Sequence, residues 1–146
     1  MWPILNIFPE GCTTNGTKLA KFKKGAFNSL RPVRLAVITY KTPSWGFSPT
    51  TDCLGFINSQ ILIQMCGFII VNVDILPVFE PNDYFWKNHW QEGKEEKWEA
   101  FARVTRDIIA KHGGYGLSEC TMEDKFDFVK LLKEKRKHKV EQTKQN

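Results

Sequence analysis

The chain has 146 residues, 42% hydrophobic and 25% charged, which is enough to bury one apolar core and too short for two good domains. That balance excludes disorder along most of its length. The net charge of +5 is uneven: six Lys/Arg oppose one Glu in residues 1–34, eight oppose thirteen Asp/Glu in residues 35–129, and seven oppose two in residues 130–146. Basic ends around an acidic middle suit an anionic ligand or an anionic membrane face, and equally a solvated surface.

In chain order, residues 4–8 (Ile4-Leu5-Asn6-Ile7-Phe8) read as a short apolar strand that Pro9 and a Glu10-Gly11 turn bring to an end. Residues 12–31 are polar and basic and read as a loop with one short helical turn. Residues 32–40, rich in β-branched side chains, form the clearest strand. Residues 42–51, with Pro43, Gly46 and Pro49, read as a loop.

Residues 53–73 contain no charged side chain, and their twenty-one positions match a hydrocarbon core of about 30 Å. Asn58, Ser59, Gln60, Gln64 and Asn72 interrupt the stretch. Leu54, Ile57, Ile61, Leu62, Met65, Phe68 and Ile69 recur near helical spacing. Three readings stay open: an amphipathic helix at a membrane interface, a buried core helix, and a full span. A strand over residues 71–79 argues against crossing.

Residues 82–93 read as a loop dense in aromatics (Tyr84, Phe85, Trp86, Trp90). A helix is expected over residues 94–112, with Trp98, Phe101, Ala102, Thr105, Ile108 and Ile109 on one face and charges on the other, stopped by Gly113-Gly114. A last helix is expected from Thr121, with Asp124 as a weak capping partner, fraying beyond Lys139. Met122, Phe126, Val129 and Leu132 make its apolar stripe.

Cys12, Cys53, Cys66 and Cys120 show neither a C-x-x-C pair nor a neighbouring His cluster, so the pattern points to free thiols rather than a metal site or disulfide framework. No signal peptide is expected, since Met1 leads directly into Trp2-Pro3. The glycosylation match at Asn15-Gly16-Thr17 is of a kind that arises often by chance.

The informative run is Phe8-Pro9-Glu10-Gly11-Cys12-Thr13-Thr14-Asn15-Gly16, followed by Phe22-Lys23-Lys24-Gly25-Ala26-Phe27. A carboxylate, a flexible Gly and hydroxyl or amide side chains at a strand's C-terminal edge stand where open α/β sheets bind ligands. Glu10 can accept from a substrate hydroxyl. Thr13, Thr14, Asn15 and backbone N–H groups can donate to phosphate, and Lys23 and Lys24 add charge. From residue types alone, a polar turn with a solvated Glu10 fits as well.

This run resembles the Phe-Pro-Glu-Gly-Thr motif of the glycerolipid acyltransferase superfamily. The longer pattern through Lys23-Lys24-Gly25-Ala26-Phe27 resembles its lysophosphatidylcholine and lysophosphatidylethanolamine acyltransferase branch. The likeness continues through Arg31-Pro32-Val33 and Leu35-Ala36-Val37-Ile38-Thr39-Tyr40 to Val73-Asp74-Ile75-Leu76-Pro77-Val78, covering about 80 residues and loosely 110.

The resemblance implies an α/β fold, a partial acyltransferase domain over residues 1–112 with a small mixed sheet covered by helices, then a C-terminal helix and basic tail over residues 113–146. It implies that Glu10, Gly11 and Cys12 help seat the acyl acceptor, with Thr13, Thr14 and Asn15 near its phosphate and Lys23 and Lys24 as phosphate or CoA contacts. Cys12 departs from the family's usual Thr and lacks its hydroxyl. Thr13 stands where glycerol-3-phosphate acyltransferases carry Arg, which favours a lysophospholipid acceptor. No metal or resident cofactor is implied. Acyl-CoA would be the co-substrate, at the cytosolic face of the endoplasmic reticulum membrane.

The family's catalytic His and Asp, four residues apart, lie upstream of this motif. Five positions after His89, His112 and His138 stand Lys94, Leu117 and Thr143, so no catalytic residue is assigned here. The expectation is a fragment of a lysophospholipid acyltransferase, inactive by itself, or alternatively a non-catalytic lipid- or membrane-binding module of that descent. A nucleic-acid partner is not expected, because no recognised nucleic-acid module occurs.

Overall fold

The computed structural model describes residues 5–14, 16–41, 57, 61, 64–65 and 68–145. Within them the chain is α/β, with two small two-stranded sheets. Strand β1 (Lys18–Leu19) leads to a 3-10 turn at Lys24–Ala26 and strand β2 (Val33–Lys41). Strand β3 (Ile70–Phe79), helix α1 (Asp83–His89) and helix α2 (Lys97–Gly113) follow. Strand β4 (Gly116–Leu117) and helix α3 (Met122–Gln145) complete the order.

Strand β2 pairs antiparallel with β3, from Val33 opposite Phe79 to Lys41 opposite Ile70. Arg34 faces Val78 and Ala36 faces Ile75, so Leu76 and Pro77 together oppose Leu35 in a bulge. Proline has no N–H for a ladder, and a bulge is where a strand accommodates it. Period-2 alternation buries Leu35 and Val37 of β2. Strand β3 leaves Ile70, Val71, Val73, Ile75 and Val78 about half exposed or more, so its apolar side chains show on both faces.

Helix α2 is the spine of the core. Ala100, Phe101, Ala102, Thr105, Arg106 and Ala110 are buried, on one stripe at helical spacing. Phe101 is fully buried and meets Phe27, Phe79, Phe85 and Trp86 with ring centroids between 5.4 and 6.5 Å apart. A capping box joins Glu96 and Glu99 at the helix start. At the other end Gly114 adopts φ +67, the left-handed conformation that ends helices.

Four expectations need correction. Residues 5–8 lie in no strand: Leu5 and Phe8 are 79% and 76% exposed, and with no pairing neighbour among the described residues the run is not held as a strand. The aromatic segment is not all loop, because the Asn82 side chain accepts the Phe85 N–H at 2.9 Å and starts α1, turning Phe85 into the core. The charged face of α2 is not uniform, since Arg106 is buried. Helix α3 runs to Gln145 rather than fraying beyond Lys139. Most of residues 53–73 lies outside the described residues. Among the described residues no helix is long and apolar enough to cross a membrane.

A Cβ built on Gly113 would clash with the ring of Tyr115, whose hydroxyl donates to the Ile38 carbonyl at 3.2 Å. Gly113→Ala is therefore expected to cost about 1–3 kcal/mol by displacing that ring. Gly114→Ala meets no atom within 4 Å and carries only the left-handed penalty, about 1 kcal/mol. Thermal denaturation of both variants checks the order, and a milder effect at Gly113 would contradict the Tyr115 placement.

Candidate functional site

The Glu10 segment is a closed loop. Its turn is fixed by Gly11 N–H donating to the Phe8 carbonyl at 3.1 Å, with Pro9 and Gly11 at the turn positions each favours. Gly11 has φ +68, and a Cβ there would also stand 3.2 Å from the Lys23 side chain. The Lys23 N–H donates to the Pro9 carbonyl at 2.8 Å, which ties the two ends of the loop together. Glu10, Gly11, Cys12, Thr13 and Thr14 thus share one short stretch, with Lys23 against it. Thr14 Oγ1 accepts the Gly16 N–H at 3.3 Å. Asn15 lies outside the described residues.

The Glu10 side chain turns inward. Its Oε2 accepts the Ala20 N–H at 2.9 Å. Burial raises its pKa, opposed by that hydrogen bond and by the charge of Arg106. Arg106, on α2, donates to the carbonyls of Leu19 and Ser118. Tyr115 lies nearby, its pKa raised by burial and further by the negative charge of Glu10.

Helix α3 closes over the outer side of the loop. Lys125 Nζ donates to the Thr13 carbonyl at 2.7 Å and to its Oγ1 at 3.1 Å. Met122 Sδ would stand 3.6 Å from a Cβ at Gly11. Lys21 pairs with Glu119 at 2.9 Å and Lys23 with Glu123 at 3.1 Å. Lys24 turns away to the start of α2, 3.3 Å from Glu96 and 5.6 Å from the Trp98 ring centroid. Each of these lysines already has a carboxylate, so an anionic ligand would exchange one partner for another.

These exposed pairs have a pH signature. The pKa of Glu119 is lowered chiefly by Lys21, that of Glu123 by its own backbone N–H and then Lys23, and that of Asp124 by the Thr121 N–H. Groups with depressed folded pKa values stabilise above the usual carboxylate range, and that contribution is lost as pH falls through the lowered values. Amide protection at residues 121–125, the exchange rate relative to the intrinsic rate of the free peptide at the same pH, is expected to fall below about pH 4 and to change little between there and neutrality. Residues 121–125 without protection at pH 7 would rule out the docking of α3 on the loop.

Neither His89 nor His112 is arranged as a base. The His89 ring packs on Phe85 at 5.4 Å, and its carbonyl accepts from Arg103 at 2.7 Å. His112 Nε2 stands 3.6 Å from Asp74 Oδ2, too far for the hydrogen bond that fixes an imidazole tautomer.

Sequence reading did not find Arg106, Tyr115 or Lys125. The one signal was an arginine among Phe101, Ala102, Thr105 and Ile109 on an apolar helix stripe. Nothing local marks Lys125 or Tyr115.

Comparison with known proteins gives related sequences. The chain is 34% identical over 124 residues to lysophospholipid acyltransferase LPEAT1 of Arabidopsis thaliana. It is 30% identical over 123 residues to lysophosphatidylcholine acyltransferase of Drosophila melanogaster, and 33% identical over 129 residues to lysophosphatidylcholine acyltransferase 2 of Homo sapiens. Each match takes in 84% of this chain and 28%, 21% and 21% of the relative, so the chain spans about a quarter of their length. No protein-family model and no solved structure matches it.

Proposed function

From the chain's membership of the glycerophospholipid acyltransferases, on their lysophospholipid acyltransferase branch, we propose that it forms the acceptor-binding part of an acyl-CoA-dependent lysophospholipid acyltransferase. One observation carries this reading: Pro9-Glu10-Gly11 and the polar residues after it form a tied loop with a half-buried carboxylate, in a chain that matches lysophospholipid acyltransferases over 84% of its length.

In the proposed reaction the free hydroxyl of a lysophospholipid donates to Glu10. Backbone N–H groups of the loop, with Thr13, Thr14 and Asn15, meet the phosphate, and Lys23 exchanges Glu123 for it. The acceptor oxygen then attacks the acyl thioester, the new ester bond forms, the C–S bond breaks and CoA leaves as thiol. A base must take the hydroxyl proton. The three histidines lack the family's Asp spacing, and this supports a piece that binds acceptor without turning it over. The same absence favours a second reading, a non-catalytic lipid- or membrane-binding module. The proposed setting is the cytosolic face of the endoplasmic reticulum membrane.

The purified chain is expected to bind lysophosphatidylcholine and to release no CoA thiol from acyl-CoA above background. Thiol release would overturn the inactive reading, and absent lipid binding would overturn the acceptor assignment. Fusing a relative's upstream segment, with its His and Asp, separates the two readings: restored transfer supports the enzyme piece, and binding without transfer supports the module.

A further inference from the structure

Arg106 retains 9% of its surface exposure in the middle of α2, and its Nε is buried without a hydrogen-bond partner among the described residues. A buried guanidinium with an unused donor is a costly way to fill a core position, one that an apolar side chain fills more cheaply. Its Nη2 donates to the Leu19 carbonyl at 2.8 Å and to the Ser118 carbonyl. These acceptors sit in β1 and just after β4, and Ser118 N–H also donates to Leu19 O at 3.0 Å.

The Leu19 carbonyl and the Ala20 N–H belong to one peptide group. Arg106 donates to its oxygen, and Glu10 Oε2 accepts from its nitrogen at 2.9 Å. A cation at one end of a peptide dipole and a carboxylate at the other polarise it in the same sense, which strengthens both bonds. The planar peptide also fixes their relative placement. We infer that Arg106 is a positioning residue for Glu10, holding the carboxylate in place for the acceptor hydroxyl through the Leu19–Ala20 peptide group. The role in acceptor binding rests on the proposed function; the link between the two side chains does not.

Among the described residues, the groups electrostatically linked to Glu10 are Arg106 from α2 and Tyr115 from the link between α2 and β4. Tyr115 stays neutral through the carboxylate range, so the electrostatic partner that responds to Glu10 ionisation is Arg106.

The test is a carboxyl and side-chain NMR titration of the full chain, with Ala20 amide exchange and lysophosphatidylcholine binding measured in parallel. In Arg106→Gln the Glu10 titration midpoint is expected to move up, Ala20 exchange to quicken at least tenfold and binding to fall about tenfold. Arg106→Lys keeps the charge but not the two-carbonyl geometry, so it restores the midpoint and only part of the binding. A folded Arg106→Gln with unchanged Glu10 midpoint and Ala20 exchange overturns the inference. Should that variant unfold, the unmutated chain decides: its Arg106 side-chain N–H resonances follow the Glu10 titration and stop moving in Glu10→Gln, and resonances that never move overturn it. If the two groups titrate together but no form binds lipid, the link stands and the acceptor reading falls.

Discussion

Replacing Phe101 with Ala is expected to remove most of the stability of this chain. Phe101 is fully buried and its ring touches aromatic side chains from the loop before β2, from β3 and from α1. Deleting it leaves a cavity between those elements. Phe→Ala changes at such sites cost about 3–5 kcal/mol, against a total of roughly 5–15 kcal/mol for a domain. With a urea slope of about 1–3 kcal/mol per molar, the unfolding midpoint should fall by about 2 M. Trp86, whose ring centroid lies 6.5 Å from that of Phe101, gives a fluorescence probe at the site. Phe101→Leu, which refills much of the space, should fall far less. A midpoint lowered by under half a molar in Phe101→Ala would show that the core does not depend on this ring.

Glu10→Gln is expected to separate folding from ligand binding. Burial raises the pKa of Glu10, so its contribution to stability is present below the usual Glu range and is lost as pH rises through the raised value. At neutral pH the ionised side chain is therefore a burden on the fold. Glutamine has the same shape, keeps a carbonyl oxygen for the Ala20 N–H and carries no charge. Stability at pH 7 should be unchanged or higher, and its fall between acid and neutral pH should flatten. Lysophosphatidylcholine binding should drop about tenfold, because a hydrogen bond to a charged acceptor is worth about 1 kcal/mol or more beyond a neutral one. Glu10→Ala removes the acceptor as well and leaves a part-buried N–H unpaired, so it should lose both stability and binding. A Gln variant that binds as well as the unmutated chain would place the acceptor elsewhere.

Strands β2 and β3 were legible because their runs are rich in the β-branched residues Val and Ile. The end of α2 was legible because Gly113-Gly114 follows its last apolar residues. The start of α3 was marked by Thr121 and Asp124, whose carboxylate accepts the Thr121 N–H at 2.7 Å. Residues 5–8 misled because apolar alternation records a preference for being covered, while a strand also requires a neighbour to pair with. Helix α1 was hidden by its aromatics, which looked like a loop's although Asn82 caps a helix.

The candidate loop was readable as a list of residues but not as an arrangement. Its composition announces Glu10, Thr13 and Lys23. What holds them is Arg106, 87 residues beyond Leu19, and Lys125, 112 residues beyond Thr13. Contacts at such separations leave no local pattern. The salt bridges of Lys21, Lys23 and Lys24 were equally invisible, since a lysine cluster reads as free positive charge until the facing carboxylates are known.

Those long separations also set the order in which the loop can be completed during synthesis. The segment bearing Glu10 leaves the ribosome ahead of its partners, and Arg106, Ser118 and Lys125 emerge on the order of ten seconds later at common translation rates. Until then Glu10 and the nascent lysines have no inner wall to rest on. During that interval the loop is unfinished, and a stop codon just after Gly113 would leave it so for good.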